Sequence, residues 1–325
     1  MTLITVQRLS LVSRSFAQIS LAFALSCCDI TASFADPTEP AARQQASNEA
    51  LAKKTQNPVS DLISVPLQNN FDFGVGPEDK MVWMMNVQPV VPVRISEDWN
   101  IITRTILPVM NVPSLAPGLD SAAGIGDLNP TFFLSPANPS GFIWGVGPTM
   151  TFPTATDSLL GDGKWSAGPA GVGLFMEGPW VIGALAHQQW SFAGWGDRAV
   201  NQFLTQTFIN YNFPTGWYIT SSPIITGDFE NQKGNQWTVP LGVGVGKVHK
   251  YFGLPINMNL APYYNVVTPD DSASWQVRFT LAMLFNLCAA LFQLPDFSRD
   301  AVNKFIIHRH SNVFFGNWTT IQKNQ

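Results

Sequence analysis

Charged residues are scarce in this 325-residue chain: Asp, Glu, Lys and Arg make up 12% of it, against roughly 25% in an average soluble protein. The net charge of −4 leaves no basic surface for phosphates, which excludes a protein that binds nucleic acid. The three cysteines have neither the spacing of a zinc site nor that of a disulfide framework. The sequence therefore predicts no metal and no cofactor.

Long uninterrupted helices are excluded too, because 25 glycines and 24 prolines are spread over the chain. Hydrophobic residues nevertheless reach 46% and aromatic residues 12%. The mean hydropathy of +0.08 is too low for a helical membrane protein and high for a soluble one. This combination favours an all-β transmembrane barrel, whose strands turn one face to lipid and the other to water.

Residues 1–35 have the pattern of a signal peptide. Two arginines are the only charged residues before Asp29, an apolar stretch covers residues 16–28, and residues 33–35 offer the small side chains of a cleavage site. Two alternatives stay open, namely lipid attachment at Cys27 and an uncleaved N-terminal anchor helix. A signal peptide predicts export of the chain.

Residues 36–65 are predicted to form a polar leader in the periplasm. Residues 41–54 are rich in Ala, Gln, Glu and Lys, which allows a short surface helix that Pro58 limits. We expect this leader to contribute nothing to a hydrophobic core.

Between residues 66 and 286 the chain alternates between runs rich in Val, Ile, Trp, Phe and Thr and clusters of turn residues. The runs are about twice as long as the mean strand of roughly five or six residues in soluble proteins. They predict an antiparallel, up-and-down transmembrane β-barrel of about twelve strands, an even number as in bacterial barrels. The predicted strands are 66–75, 80–95, 99–112, 125–136, 141–155, 165–177, 179–193, 199–213, 216–229, 236–248, 252–267 and 273–286.

The connections between these strands alternate in length. Tight turns are predicted at 96–98, 178 and 214–215, and longer polar links at 113–124, 156–164, 194–198 and 230–235. Short periplasmic turns and longer external loops are typical of membrane barrels. Both ends of the barrel wall are therefore predicted to lie in the periplasm.

Several predicted strands place apolar side chains on one face and polar side chains on the other. Alternation alone also fits a soluble sandwich, but the strand length and the tryptophans favour a barrel. Tryptophans cluster near strand ends, as interfacial girdles require: Trp83, Trp99, Trp144, Trp165, Trp180, Trp190, Trp217, Trp237 and Trp275.

The last predicted strand, Trp275–Phe285, has the strictest alternation. Phe279 and Leu281 lie on one face and Arg278 lies on the other. A terminal strand that ends in Phe resembles the signal that the barrel-assembly machinery recognises. An apolar helix over 279–294 is the alternative, although it is shorter than the about 20 residues that span a bilayer.

Six stretches of the chain have unusual sequences. They are QNPVSDLISVPLQNNFDFGVGP (56–77), FIWGVGP (142–148), PTATDSLLGDGKWSAGP (153–169), QQWSFAG (188–194), GWYITSSPIIT (216–226) and WTVPLGVGVGK (237–247). In this order they resemble a bacterial outer-membrane family named for the meta-pathway of phenol degradation, whose members are often mislabelled neuromedin U. The resemblance covers residues 48–285. It implies a transporter-like outer-membrane barrel that passes hydrophobic compounds.

The chain departs from this family after Phe285. Family members end within a few residues of the corresponding Phe, whereas residues 286–325 follow here. Residues 287–325 lack the alternation of a barrel strand, so we expect them outside the wall. They form either a periplasmic extension or an aberrant end produced by a frameshift or read-through.

Isolated polar side chains on the strands are candidates for the lumen lining, because an Arg at the lipid midplane costs about 2–4 kcal/mol. The same face carries apolar residues such as Leu185 and Phe208, which suits a small hydrophobic or aromatic solute better than bulk ions. The predicted polar lumen residues are Arg94, Arg104, Arg278, Gln88, Gln206, Asn210 and His187.

Catalytic motifs are weak. His187 is the one candidate general base within a predicted strand, and Ser191 on the same face stands about 13 Å away along the strand, beyond direct contact. The run 242–247 lacks the first Gly and the hydroxyl residue of a phosphate loop. Charges in the link 156–164 either bind a cation or lipid phosphate or are merely solvated.

We therefore predict an outer-membrane channel for passive passage of small hydrophobic or aromatic compounds, and not an enzyme. Its expected partners are that solute, membrane lipid and lipopolysaccharide, and the barrel-assembly machinery. A non-transporting structural or receptor-like barrel is the main alternative, and a lipid-modifying enzyme a more distant one. The sequence leaves open whether a plug closes the pore.

Overall fold

The computed structural model describes residues 49–60, 62–195, 198–251 and 254–285. Residues 49–55 are helical, and the other regular elements are strands of one sheet. The predicted signal peptide and the predicted tail lie outside the described residues. The strands are β1 (Ile63–Val75), β2 (Lys80–Val87), β3 (Val90–Arg94), β4 (Trp99–Val112), β5 (Ala122–Ile125), β6 (Asn129–Pro136), β7 (Phe142–Thr151), β8 (Lys164–Glu177), β9 (Trp180–Gly194), β10 (Asn201–Asn212), β11 (Trp217–Ser221), β12 (Ile224–Asp228), β13 (Trp237–Gly242), β14 (Gly244–Tyr251), β15 (Leu254–Val267) and β16 (Trp275–Phe285).

The sheet closes on itself. Neighbouring strands pair antiparallel all the way round, and β1 pairs with β16 from Ile63 opposite Phe285 to Phe73 opposite Trp275. Four of the twelve strands of the wall are interrupted once, so that β2 and β3, β5 and β6, β11 and β12, and β13 and β14 each make up a single wall strand. The prediction of an all-β antiparallel barrel of twelve strands is confirmed.

Two of the interruptions contain a proline, Pro89 or Pro223, which has no N–H to donate to the ladder. Around Pro89 the wall stays bonded, because the N–H of Gln88 donates to the carbonyl of Pro66 at 2.9 Å. Next to Pro223, side chains in the lumen bond the backbone N–H and C=O of Ser222 instead. The second interruption therefore turns backbone polar groups toward the lumen.

The two ends of the barrel differ in their connections. Short turns occupy residues 95–98, 137–141, 178–179 and 213–216 at one end, where β1 begins and β16 ends. Longer loops occupy residues 113–121, 152–163, 229–236 and 268–274 at the other. We call these the short-turn end and the long-loop end. By the usual rule for membrane barrels the short-turn end is periplasmic.

The outer surface of the wall is apolar and is bounded by aromatic residues. Exposed apolar side chains along its middle include Ile182, Ile209, Leu241, Val245 and Phe279. Aromatic rings contact each other near the short-turn end (Trp99 with Trp144, Trp180 with Tyr211) and near the long-loop end (Phe203 with Trp237, Tyr264 with Trp275). An apolar belt between two aromatic girdles is the surface of a barrel that lies in lipid. The protein is a barrel of the bacterial outer membrane.

The predicted leader is the main departure from expectation. Residues 49–60 lie inside the barrel, where Ala52 is fully buried and Val59 is 7% exposed. The expectation that this stretch forms a surface helix without a role in the core is wrong. Its polar side chains suit a polar lumen as well as they suit solvent, so composition alone does not separate the two.

Among the described residues, no helix is long and apolar enough to cross a membrane.

Candidate functional site

The lumen has two sides of different polarity. From β3 round to β10, inward-facing apolar residues form one cluster: Val90, Ile102, Phe133, Ile143, Ala170, Val172, Leu174, Val181, Leu185 and Phe208. From β11 round to β1, most inward-facing residues carry amides, hydroxyls or a guanidinium: Gln68, Asn70, Tyr218, Thr220, Asn257, Asn259, Arg278 and Thr280. We call these the apolar side and the polar side.

Residues 49–60, which we call the plug, cross the lumen between these two sides. Val59 packs into the cluster of the apolar side. Ala52 packs against Tyr218 and Val248 on the opposite part of the wall. Because Tyr218 is the second residue of β11 and Val248 lies near the end of β14, the plug sits toward the short-turn end.

Hydrogen bonds hold the plug as well. The amides of Gln56 and Asn212 bond each other reciprocally, at 2.8 Å and 3.0 Å. The amide of Asn257 donates to the hydroxyl of Thr55 at 3.1 Å and accepts from the hydroxyl of Tyr218 at 2.7 Å. The plug is thus anchored by the apolar packing of Val59 and Ala52 and by hydrogen bonds of Gln56 and Thr55.

A cavity of about 190 Å³ lies between the plug and the wall. We call it the plug chamber. No Asp or Glu side chain is found among the described residues that line it. Its wall combines apolar side chains with amides and two guanidinium groups: Val90, Leu185 and Phe208 with Gln88, Arg104, Gln206, Asn210, Asn257, Asn259 and Arg278.

Arg104 lies on β4, where it faces Val90 of β3 on one side and Thr131 of β6 on the other. Its Nη2 donates to Oε1 of Gln88 at 3.0 Å. A guanidinium has five N–H donors, so with this one neutral partner among the described residues most of them are left to the chamber.

Arg278 is 3% exposed and is held by several partners on the polar side. Its nitrogens donate to Oδ1 of Asn70 at 3.3 Å, to the carbonyl of Ser222 at 2.8 Å and to Oε1 of Gln276 at 2.8 Å. The guanidinium also lies over the ring of Tyr263, 4.7 Å from the ring centroid. These contacts fix the cation in one position in the wall.

A second cavity, of about 370 Å³, lies on the long-loop side of Arg278 and is also lined by that residue. We call it the loop chamber. Asp72 lines it and accepts from Nε2 of Gln276 at 2.8 Å. The Oδ1 atom of Asn86, which lines it too, is buried and has no hydrogen-bond partner among the described residues. The plug chamber and the loop chamber therefore share Arg278.

The structure brings five of the predicted lumen residues to the plug chamber: Gln88, Arg104, Gln206, Asn210 and Arg278. His187 lines a different cavity, near Leu204 and Thr226. Arg94 is exposed at the short-turn end, where its guanidinium donates to the carbonyls of Ser96 and Glu97 at 3.1 Å and 2.9 Å. Arg94 therefore stabilises a turn at the mouth of the barrel and does not line the plug chamber.

Two tyrosines that the sequence did not single out shape the lumen. A Cβ on Gly246 would come within 2.1 Å of the Tyr218 ring, and one on Gly242 within 2.7 Å of the Tyr263 ring. Gly242 and Gly246 therefore make room for these rings. Glycine at alternate strand positions is the sequence signal from which a close approach of these rings to the backbone could have been predicted.

Among the described residues, no catalytic arrangement lines these cavities. The Ser191 hydroxyl accepts from the backbone N–H of Val200 at 2.9 Å, which ties it to its own loop. The described residues contain no group of three or more His, Cys, Asp or Glu side chains placed to hold a metal ion.

Charged residues of the long-loop end form a small network outside the lumen. The backbone N–H of Asp162 donates to Oδ2 of Asp127 at 2.9 Å. Arg198 bonds to Asp228 and, at 2.8 Å, to Asn231. Burial raises the pKa of Asp162, the carboxylate of Asp127 raises it further, and Arg198 opposes both effects.

Comparison with known proteins bears on the fold. No protein-family model and no curated protein matches the chain. Among solved structures, an outer membrane channel from Pseudomonas putida F1 is similar over 69% of this chain and 94% of its own, with 16% identity and a TM-score of 0.52. The NanC porin is similar over 69% of this chain and 100% of its own, with 8% identity and a TM-score of 0.46. The first similarity shows that this chain has the fold of an outer-membrane channel protein.

Proposed function

We propose that this protein is an outer-membrane channel for passive passage of small hydrophobic or aromatic compounds. The observation that carries the proposal is the pair of cavities in series inside a closed barrel. Both linings contain apolar side chains among a larger number of polar groups. Sites for small organic molecules likewise combine apolar surface with polar groups that orient the ligand. A pore for bulk ions would instead be lined by polar groups throughout.

Two further observations support a channel over an enzyme. The similar protein from Pseudomonas putida F1 is itself described as an outer membrane channel. The sequence stretches between residues 56 and 247 resemble the family named for the meta-pathway of phenol degradation, which implies the same role. We propose the same channel role for this chain.

The plug favours a second candidate, a structural or receptor-like barrel that transports nothing. It is anchored on both sides of the lumen, and a permanently seated plug would block a solute at the short-turn end. As a channel, the protein must let the solute pass beside the plug or displace it. The two candidates therefore differ in what replacing the plug does.

The test compares the full chain with a variant in which residues 49–60 are replaced by a Gly/Ser linker of the same length. Both are reconstituted into bilayers whose outer leaflet contains lipopolysaccharide, and single-channel conductance and uptake of labelled benzyl alcohol are measured. A channel predicts uptake above that of protein-free bilayers for the full chain, and larger conductance for the variant. Uptake by neither protein would reject the channel and leave the non-transporting barrel.

A further inference from the structure

Arg104 is the least satisfied cation of the described lumen. Its contact with the neutral amide of Gln88 uses one N–H, whereas Arg278 has three polar partners and the ring of Tyr263. A cation removed from bulk water is costly unless it is paired or well hydrogen-bonded. An incoming anion would supply the missing partner.

The plug chamber offers the geometry of an amphipathic ligand. Val90 lies directly opposite Arg104 in the β3–β4 ladder, and Leu185 and Phe208 line the same cavity. An apolar surface therefore adjoins the guanidinium. The volume of about 190 Å³ compares with a cavity of about 150 Å³ that is known to accept benzene. A planar guanidinium binds a carboxylate through two parallel hydrogen bonds.

We infer that the plug chamber binds a small aromatic carboxylate, with the carboxylate on Arg104 and the ring against Val90, Leu185 and Phe208. Gln88 orients the guanidinium by its hydrogen bond, and Arg278 adds a second positive charge at the border with the loop chamber. This assignment names the solute class of the proposed channel and rests on that proposed function. An aromatic ring alone fits the apolar side, and a carboxylate on that ring also supplies Arg104 with two acceptors.

The test is isothermal titration calorimetry of the full-length protein in detergent at neutral pH, with benzoate as the probe. Benzyl alcohol keeps the ring without the charge, and acetate keeps the charge without the ring. We expect benzoate to bind at least tenfold more tightly than either. Arg104→Gln should lower the affinity for benzoate about tenfold and leave that for benzyl alcohol unchanged.

Arg94→Gln is the matched control, because it removes an arginine that lies at a turn outside the chamber. It should leave the affinity for benzoate unchanged. Heat-modifiable migration in gels verifies that each variant is folded. Equal benzoate affinity in the wild type and Arg104→Gln, or no benzoate binding by the wild type, overturns the inference. Because this binding assay needs no transport, it can fail while benzyl alcohol uptake still supports the channel.

Discussion

The two sides of the lumen fill the interior of the barrel with different kinds of contact. On the apolar side, residues such as Ile102, Phe133 and Leu174 pack as a hydrophobic core together with Val59 of the plug. On the polar side, the hydroxyl of Tyr218 donates to Asn257, and Arg278 donates to the carbonyl of Ser222. Packing excludes water without selecting a ligand, whereas a hydrogen-bonded wall leaves polar atoms at the chamber surface.

This difference in polarity predicts where a solute contacts the barrel. An apolar ring gains most from the side on which Leu185 and Phe208 lie, and a polar group gains most near Arg104 at the border of the two sides. A uniformly apolar bore would be a packed core, and a uniformly polar one would favour ions. The asymmetry therefore suits molecules that are themselves asymmetric.

The largest effect is expected from placing a charge on the apolar side. Phe133→Asp removes a fully buried ring, which costs about 3–5 kcal/mol for the lost packing, and it leaves a carboxylate without a partner. We expect loss of the heat-modifiable barrel in gels.

Thr280→Asp is the control on the polar side, because this residue lines the plug chamber together with Arg104 and Arg278. It should still give the folded band. A folded Phe133→Asp barrel would contradict the distinction between the two sides.

The next effect concerns the two anchors of the plug. Val59→Ala should loosen the apolar anchor by about 2 kcal/mol, because it deletes buried methyl groups. Gln56→Ala should loosen the polar anchor by about 1 kcal/mol, since lumen water replaces the bonds to Asn212. Hydrogen exchange of residues 49–60 measures both. Stronger exchange in Gln56→Ala than in Val59→Ala would show that hydrogen bonds hold the plug more firmly than apolar packing does.

A smaller effect is expected from the cation that both chambers share. Arg278→Gln removes a positive charge from the lumen and keeps a hydrogen-bonding side chain, so the permeability ratio should shift toward cations by roughly twofold. Reversal potentials across planar bilayers in a salt gradient measure this shift. Arg94→Gln should not change them, and an equal shift in both variants would place the selective field at the mouth of the barrel.

The smallest effect lies outside the lumen, at Asp162. Its raised pKa means that the folded loop disfavours the carboxylate, so stability should rise slightly as the pH falls through this raised pKa toward the ordinary Asp value. The side chain is exposed and screened, so Asp162→Asn should stabilise the neutral-pH protein by about 0.5 kcal/mol or less. Thermal midpoints across pH test this. A large shift of the thermal midpoint would mean that the loop network contributes more to the stability of the barrel than the contacts in the lumen do.

Much of the wall was predictable because alternation is local. In β16 the sequence places Arg278 opposite Phe279 across the sheet, and the structure has the guanidinium in the lumen and the ring in the exposed belt. The strand breaks at Pro89 and Pro223 are visible in the sequence but were included in continuous predicted strands. Arg94 shows the limit of the pattern, because near a strand end a turn competes for the same side chain.

The sequence by itself determined the class of fold, the count of wall strands and the face of most side chains, because the period of two repeats along every strand. Only the tertiary structure decided which inward residues meet. Closure brings β16 beside β1 and sets the plug across the bore, so that Thr55 reaches Asn257 although the two are far apart in the chain. A polar leader has the same composition whether water or a polar lumen surrounds it, and the difference arises only when the wall has closed around it.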